Sequence, residues 1–198
     1  MKTLLIVLNI LCLNCFSQKL DSSSIYFVGR GTLSKKELIG ERFNLLNMDL
    51  THIGLGLIEN DTLRIYNVSS DKKEKNSSLI IETLSSFKNV NDIFYYGIWE
   101  CKISKKNLKK IKFELLKISK AQIIFDRKFK LGDDNQLYCS EFVFKILKSV
   151  KEFNFEASTI ELNRIEQQIL GNDKLSYIPV DFFLNNKRII EIKTEYIN

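Results

Sequence analysis

Residues 137–147 read "LYCSEFVFKIL". A polar run ends here and an apolar helical pattern begins, with Cys139 at the junction. Phe142, Val143, Ile146, Leu147 and Val150 recur at three- and four-residue spacing, which predicts a helix with one buried side starting near Cys139. The thiolate is the reactive form of cysteine, and the unpaired N–H groups and dipole of a helix start favour it. Cysteine is also often buried as a small hydrophobe, so position alone leaves two readings, core residue or nucleophile. A cysteine nucleophile ordinarily works with a base. The chain has one histidine, His52.

His52 lies in "LTHIGLGLI", residues 50–58. Strand alternation assigns His52, Gly54 and Gly56 to one face and Ile53, Leu55 and Leu57 to the other. The glycine face is nearly bare, so the expectation is that something approaches it closely, the Cys139 helix being the candidate. A second β-rich run, "TLRIYNVSS", follows the turn-like Glu59-Asn60-Asp61, which predicts a hairpin. On its second strand Ile65, Asn67 and Ser69 share a face. Asn67 is therefore the candidate to orient the imidazole, by analogy of role with cysteine–histidine–asparagine sites. Asn67-Val68-Ser69 also reads as a glycosylation sequon.

Further out, "SSIYFVG" and "IFYYGIWECKI" read as strands, and "LIIETLSSF" is ambiguous between strand and helix. "SKKNLKKIKFELLKISK" is an amphipathic helix behind Ser104 as N-cap. "AQIIFDRKFKLGDDNQ" is a strand followed by a turn. "STIELNRIEQQIL" is expected to be a helix capped by Ser158 or Thr159, and "VDFFLNNKRIIEIKT" a hairpin turning at Asn185-Asn186. Asp126 and Asp133 flank turns and are read as fold residues.

With 44% hydrophobic and 27% charged residues in 198, the chain is an ordinary globular one rather than a disordered one. The first 17 residues combine Lys2 with an apolar run too short to span a bilayer, so they are read as a signal peptide, leaving residues 18–198 as a single domain. Export to a periplasmic or extracellular space follows; lipoprotein anchoring through Cys15 is the less favoured processing. The +6 formal charge comes mostly from scattered lysines without an arginine pattern or aromatic platform, so nucleic acid is not an expected partner. Weak contact with an anionic polymer or membrane surface stays open. One histidine and two scattered cysteines give neither the count nor the spacing of a zinc site, and no metal or other cofactor is expected. Cys101 and Cys139 remain after the leader, and a disulfide between them would leave a noncatalytic binding domain as one alternative.

"FDRKFKLGDDNQLYCSEFVFKIL", with "LTHIGLGLI" upstream and "YIPVDFF" downstream, resembles the YiiX-like branch of the NlpC-type cysteine peptidase superfamily over residues 24–184. The resemblance implies an α+β, circularly permuted papain-like fold, its antiparallel sheet packed against the helix carrying the cysteine. It implies Cys139 as nucleophile and His52 as general base. Many relatives have an acidic third polar residue where this chain has Asn67, and a Gly-Asp pair where it has "LDSSSIYFV". Tyr138 and Ser140 fall in the same motif as oxyanion or substrate-pocket residues, beside the Cys139 backbone N–H. The expected function is an exported cysteine hydrolase working through a thioester on a peptide or peptidoglycan fragment. A lipid or acyl ester hydrolase or acyltransferase, with an acyl substrate, is the enzymatic alternative.

Overall fold

The computed structural model describes residues 20–70, 77–150, 152–153 and 156–197. The signal-peptide and Cys15 readings lie outside the described residues, as does most of the polar loop after Ser70.

The organising element is a six-stranded antiparallel sheet in the order β10-β5-β1-β2-β3-β4. β1 (Ser24–Thr32), β2 (His52–Glu59), β3 (Thr62–Val68), β4 (Leu79–Thr83), β5 (Ile93–Lys102) and β10 (Ile189–Tyr196) compose it. β1 lies between β2 and β5 and is buried along its whole length. Its alternation explains why: Ile25 and Phe27 enter the large core on one face, while Tyr26 and Val28 enter a smaller one with Leu63, Ile65 and Phe87 on the other. The β2–β3 hairpin is tighter than expected, because Glu59 belongs to the strand. Asn60 and Asp61 alone make the turn, with φ of 48° and 58°, the doubly left-handed geometry that matches strand twist.

The ambiguous segment 79–87 resolves into both candidates. β4 is followed directly by α1 (Leu84–Lys88), whose start is capped by the Thr83 hydroxyl accepting from the Ser86 N–H. α2 (Lys105–Ser119) is the expected amphipathic helix, with the Ser104 hydroxyl accepting from Asn107 N–H and with Ile111, Leu115 and Ile118 buried. Short β6 (Ile124–Phe125) and β7 (Gln136–Leu137) pair in parallel, so the strand expected from Ala121 shrinks to two residues. α3 (Cys139–Leu147) begins at the cysteine and packs on β2 and β3, with Phe142, Val143, Ile146 and Leu147 fully buried. Each such side chain contributes about 1.5–3 kcal/mol by leaving water.

Two expectations fail beyond this point. Ser158 and Thr159 cap no helix: they open β8 (Ser158–Glu161), which pairs with β9 (Lys174–Tyr177). The helix is α4 (Arg164–Leu170), and Asn163 caps it because Glu166 reciprocates in a capping box. The tail is no hairpin either. Phe182–Asn185 is a turn of 3₁₀ helix, and β10 pairs with β5, some ninety positions away in sequence.

Candidate active site

Cys139 and His52 are 87 positions apart in sequence and line one cavity of about 320 Å³. Each is the first residue of its element, α3 and β2 respectively. α3 packs over the Ile53, Leu55 and Leu57 side of β2, and its first turn reaches the end of the strand where His52 begins. The backbone N–H groups of Ile53 and Ser140 bear on the Cys139 sulfur.

The bare glycine face has a different occupant from the one expected. A Cβ at Gly54 would meet Ile65 Cγ2 at 2.7 Å and Asn67 Cβ at 3.0 Å, and one at Gly56 would meet Leu63 and Tyr26. The β3 side chains and β1 fill that face, while the cysteine helix covers the apolar one, where burial is worth more. The closeness of Gly54 to Asn67 lets the carboxamide tuck behind the imidazole: His52 Nε2 and Asn67 Oδ1 are 2.9 Å apart. Asn67 has no exposed surface, so it is out of reach as a glycosylation acceptor in the folded chain.

Glu82, which the strand pattern did not single out, completes the chain of contacts. Asn67 Nδ2 donates to Glu82 Oε1 at 3.1 Å, and the Ser86 hydroxyl donates to Glu82 Oε2 at 2.6 Å. A carboxylate only accepts, so Glu82 fixes which end of the Asn67 amide faces the imidazole. Asn67 then presents its oxygen, which requires a hydrogen on His52 Nε2 and leaves the lone pair on Nδ1. Arg30 is a second residue without a signal in the sequence pattern. It is His52's partner in the β1–β2 register and is 3% exposed, with Nη1 donating to the Phe87 carbonyl at 2.6 Å. Its guanidinium lies 4.4 Å from the centre of the Phe87 ring, and the imidazole lies 5.7 Å from the same ring. For Glu82 the available signal was alternation in "LIIET", where it shares a face with Ile80, the register partner of Asn67.

The expected lowering of the Cys139 thiol does not prevail. Burial pushes it up from its ordinary value, and the Ile53 and Ser140 N–H groups and the Lys35 and Arg30 charges oppose that only in part. The resting group is therefore the thiol. The Tyr138 hydroxyl accepts from the Ile178 N–H at 2.8 Å, and the Ser140 hydroxyl donates to the Ile178 carbonyl at 2.6 Å. Together they clamp one residue of the cavity wall to the start of α3. Glu141 turns to the neighbouring loop, where Oε1 accepts from Gly132 N–H at 3.1 Å. Asp126 accepts from the Lys128 and Lys130 N–H groups, and Asp133 from those of Asn135 and Gln136, as turn residues do.

Cys101 and Cys139 are both free thiols, which removes the disulfide-tied alternative. The sheet register explains the separation. Cys139 meets Ile53, whose row across the sheet is Gly29 and Gly97, and Cys101 lies four residues further along β5, roughly 13 Å at strand rise.

No family model and no curated protein matches this chain. Among solved structures it is similar to the metalloprotein YiiX from Escherichia coli O157:H7, with a TM-score of 0.66 and 12% identity over 90% of this chain and 99% of that one. The chain therefore has a YiiX-like fold: α+β, built on a large antiparallel sheet.

Proposed function

We propose that this protein is an exported cysteine hydrolase of the NlpC type, with Cys139 as nucleophile, His52 as base and Asn67 as the group that orients it. The observation that carries this reading is the shared cavity, lined both by a helix-start thiol and by an imidazole whose tautomer is fixed from behind by Asn67 and Glu82. His52 Nδ1 takes the Cys139 proton as sulfur attacks a carbonyl carbon. The Cys139 backbone N–H, at the helix start where no intrahelical acceptor exists, stabilises the oxyanion. Collapse breaks the bond to the leaving group, which takes the proton from the imidazolium, and water then hydrolyses the thioester. The histidine strand precedes the cysteine helix, and we read this order as that of a circularly permuted papain-like fold. The reaction suits an amide of a peptide or peptidoglycan fragment, or an acyl ester.

YiiX carries the description metalloprotein. Here, among the described residues, no three His, Cys, Asp or Glu side chains converge as a metal site. The neutral Asn67 carboxamide stands between His52 and Glu82, so the donor set suits proton transfer better than ligation, and no step is routed through a metal.

The test is trapping of the acyl-enzyme on the full chain, with the thioester located by peptide mass mapping. Cys139→Ala should abolish the adduct, and His52→Ala should slow its formation roughly 10²–10⁴-fold in a chain that still unfolds cooperatively. Equal trapping rates in His52→Ala and wild type would sink the assignment.

A further inference from the structure

One side of α2 is spoken for within the protein: Ile111, Leu115 and Ile118 are buried in the main core. The opposite side is not. Phe113 points outward and is 65% exposed, and Leu116, one turn on, is 55% exposed. Residues three, four or seven positions apart share a side of a helix, so Lys106, Lys109, Lys110 and Lys117 surround the Phe113 ring. Over its fifteen residues α2 carries six lysines and one glutamate. Lys106, Lys109 and Lys110 are exposed and make no ion pair with any of the described residues.

This face is separate from the cavity of Cys139 and His52. Lys109, Lys110, Phe113 and Glu114 line a shallow groove with Ser149, and none of these residues lines the cavity. Ser149 lies beyond the far end of α3, a helix of nine residues that starts at Cys139 and runs roughly 13 Å at helix rise.

The pairing of cations with apolar side chains selects among anionic partners. A soluble polyanion would engage the lysines and leave Phe113 and Leu116 in water. A bilayer with anionic headgroups engages both kinds of side chain, because ammonium groups sit among the phosphates while an aromatic ring and an aliphatic side chain enter the boundary beneath them.

We propose that α2 is a docking face for an anionic lipid bilayer, with Lys106, Lys109 and Lys110 on headgroup phosphates and Phe113 and Leu116 inserted between them. The inference is independent of the hydrolase reading. Each lysine at the surface strengthens binding about fivefold, and two side chains insert where a membrane anchor would insert a whole helix. Attachment is therefore reversible and sensitive to salt.

Co-sedimentation of the full chain with vesicles tests it, comparing phosphatidylcholine alone with an equimolar mixture of phosphatidylcholine and phosphatidylglycerol at about 0.1 M salt. The mixed vesicles should bind the protein more tightly, and salt at about 1 M should remove the difference. The triple variant Lys106→Gln, Lys109→Gln, Lys110→Gln should bind them roughly 100-fold more weakly. Phe113→Ser should lose roughly tenfold on the same vesicles and keep wild-type affinity for inorganic polyphosphate. Trp99 is the single tryptophan and is 4% exposed, so Phe113→Trp adds a reporter whose emission should move to shorter wavelength on the mixed vesicles. Equal affinity for the two kinds of vesicle overturns the proposal. An equal loss in the variant Lys128→Gln, Lys130→Gln, Lys187→Gln, at exposed positions outside α2, overturns it in favour of net charge. Full vesicle binding by Phe113→Ser overturns it in favour of a soluble polyanion, and unchanged Phe113→Trp emission on bound vesicles means that another face meets the lipid.

Discussion

A primary carboxamide can offer a neighbour either its oxygen or its NH₂ group, and at Asn67 the choice is made one contact further on. Glu82 accepts from Nδ2, so Oδ1 is left for His52 Nε2, and the imidazole lone pair is left on Nδ1. Glu82→Gln removes that constraint, because glutamine can donate as well as accept and the Asn67 amide can turn over. The expected outcome is a loss of about 1.5–3 kcal/mol of transition-state stabilisation, roughly ten- to hundredfold in kcat with KM little changed, the size of a hydrogen bond to a charged group. Equal falls in kcat for Glu82→Gln and Glu82→Ala, with KM rising in both, would point to a collapsed site instead. That Cys139 and His52 line one cavity was legible because the sequence contains a single histidine, on an alternating strand, and a single cysteine at a helix start. Asn67 followed from the hairpin, whose short turn fixes which residues share a face. Glu82 did not follow, because its contact depends on the β3–β4 pairing across a long polar segment that alternation alone does not register.

At the scale of elements, the start of α3 carries an unusual load. Glu141 sits in its first turn, 4% exposed, with Oε1 accepting from Gly132 and Oε2 buried without a hydrogen-bond partner. Burial pushes its carboxyl up to about 7, with the nearby Asp126 charge in the same direction. A folded-state value above the unfolded one means that folding favours the protonated form. The stability it confers is complete below the ordinary value of 4.5 and is lost as pH rises through about 7. The loss is on the order of 3 kcal/mol. Glu141→Gln keeps an acceptor for Gly132 and cannot ionise, so urea midpoints at pH 5 and pH 8 should converge in the variant and diverge in the wild type. A variant whose midpoint falls between those pH values as steeply as wild type would show that the carboxyl is not the titrating group. Elements with a strong local period, α2 and α3, were legible because apolar residues repeating every 3.6 positions form a continuous buried stripe only when the chain is helical. The Ser158 and Thr159 misreading arose because three residues with capping chemistry, Ser158, Thr159 and Asn163, fall within one short stretch, and the winner, Asn163, was decided by the reciprocal bond from Glu166. The tail was misread for a separate reason: the β10–β5 pairing is non-local, and a local turn signal at Asn185-Asn186 stood in its place.

Across the whole molecule, the central strands of the sheet are buried on both faces, and the two cysteines report on different depths of it. Cys139 lines a cavity that reaches solvent, whereas Cys101 sits in β5 between β1 and β10 with no exposed surface. Burial pushes the Cys101 thiol up to about 11, so both access and ionisation oppose its reaction in the folded state. Exposing Cys101 means parting β5 from a neighbour, and β5 is paired along its length on both sides. Such opening costs free energy close to that of global unfolding, ordinarily about 5–15 kcal/mol. Iodoacetamide labelling mapped by peptide mass should therefore modify Cys139 in the native protein, at a rate still climbing above the ordinary cysteine range, since burial raises its thiol. Cys101 should react at least roughly 10³-fold more slowly than it does in urea. Loosening the fold with subdenaturing urea should raise the Cys101 rate with the slope of global unfolding and leave the Cys139 rate nearly flat. Comparable native rates for the two thiols would mean that the β10 edge opens on its own and that the sheet is two cooperative units rather than one.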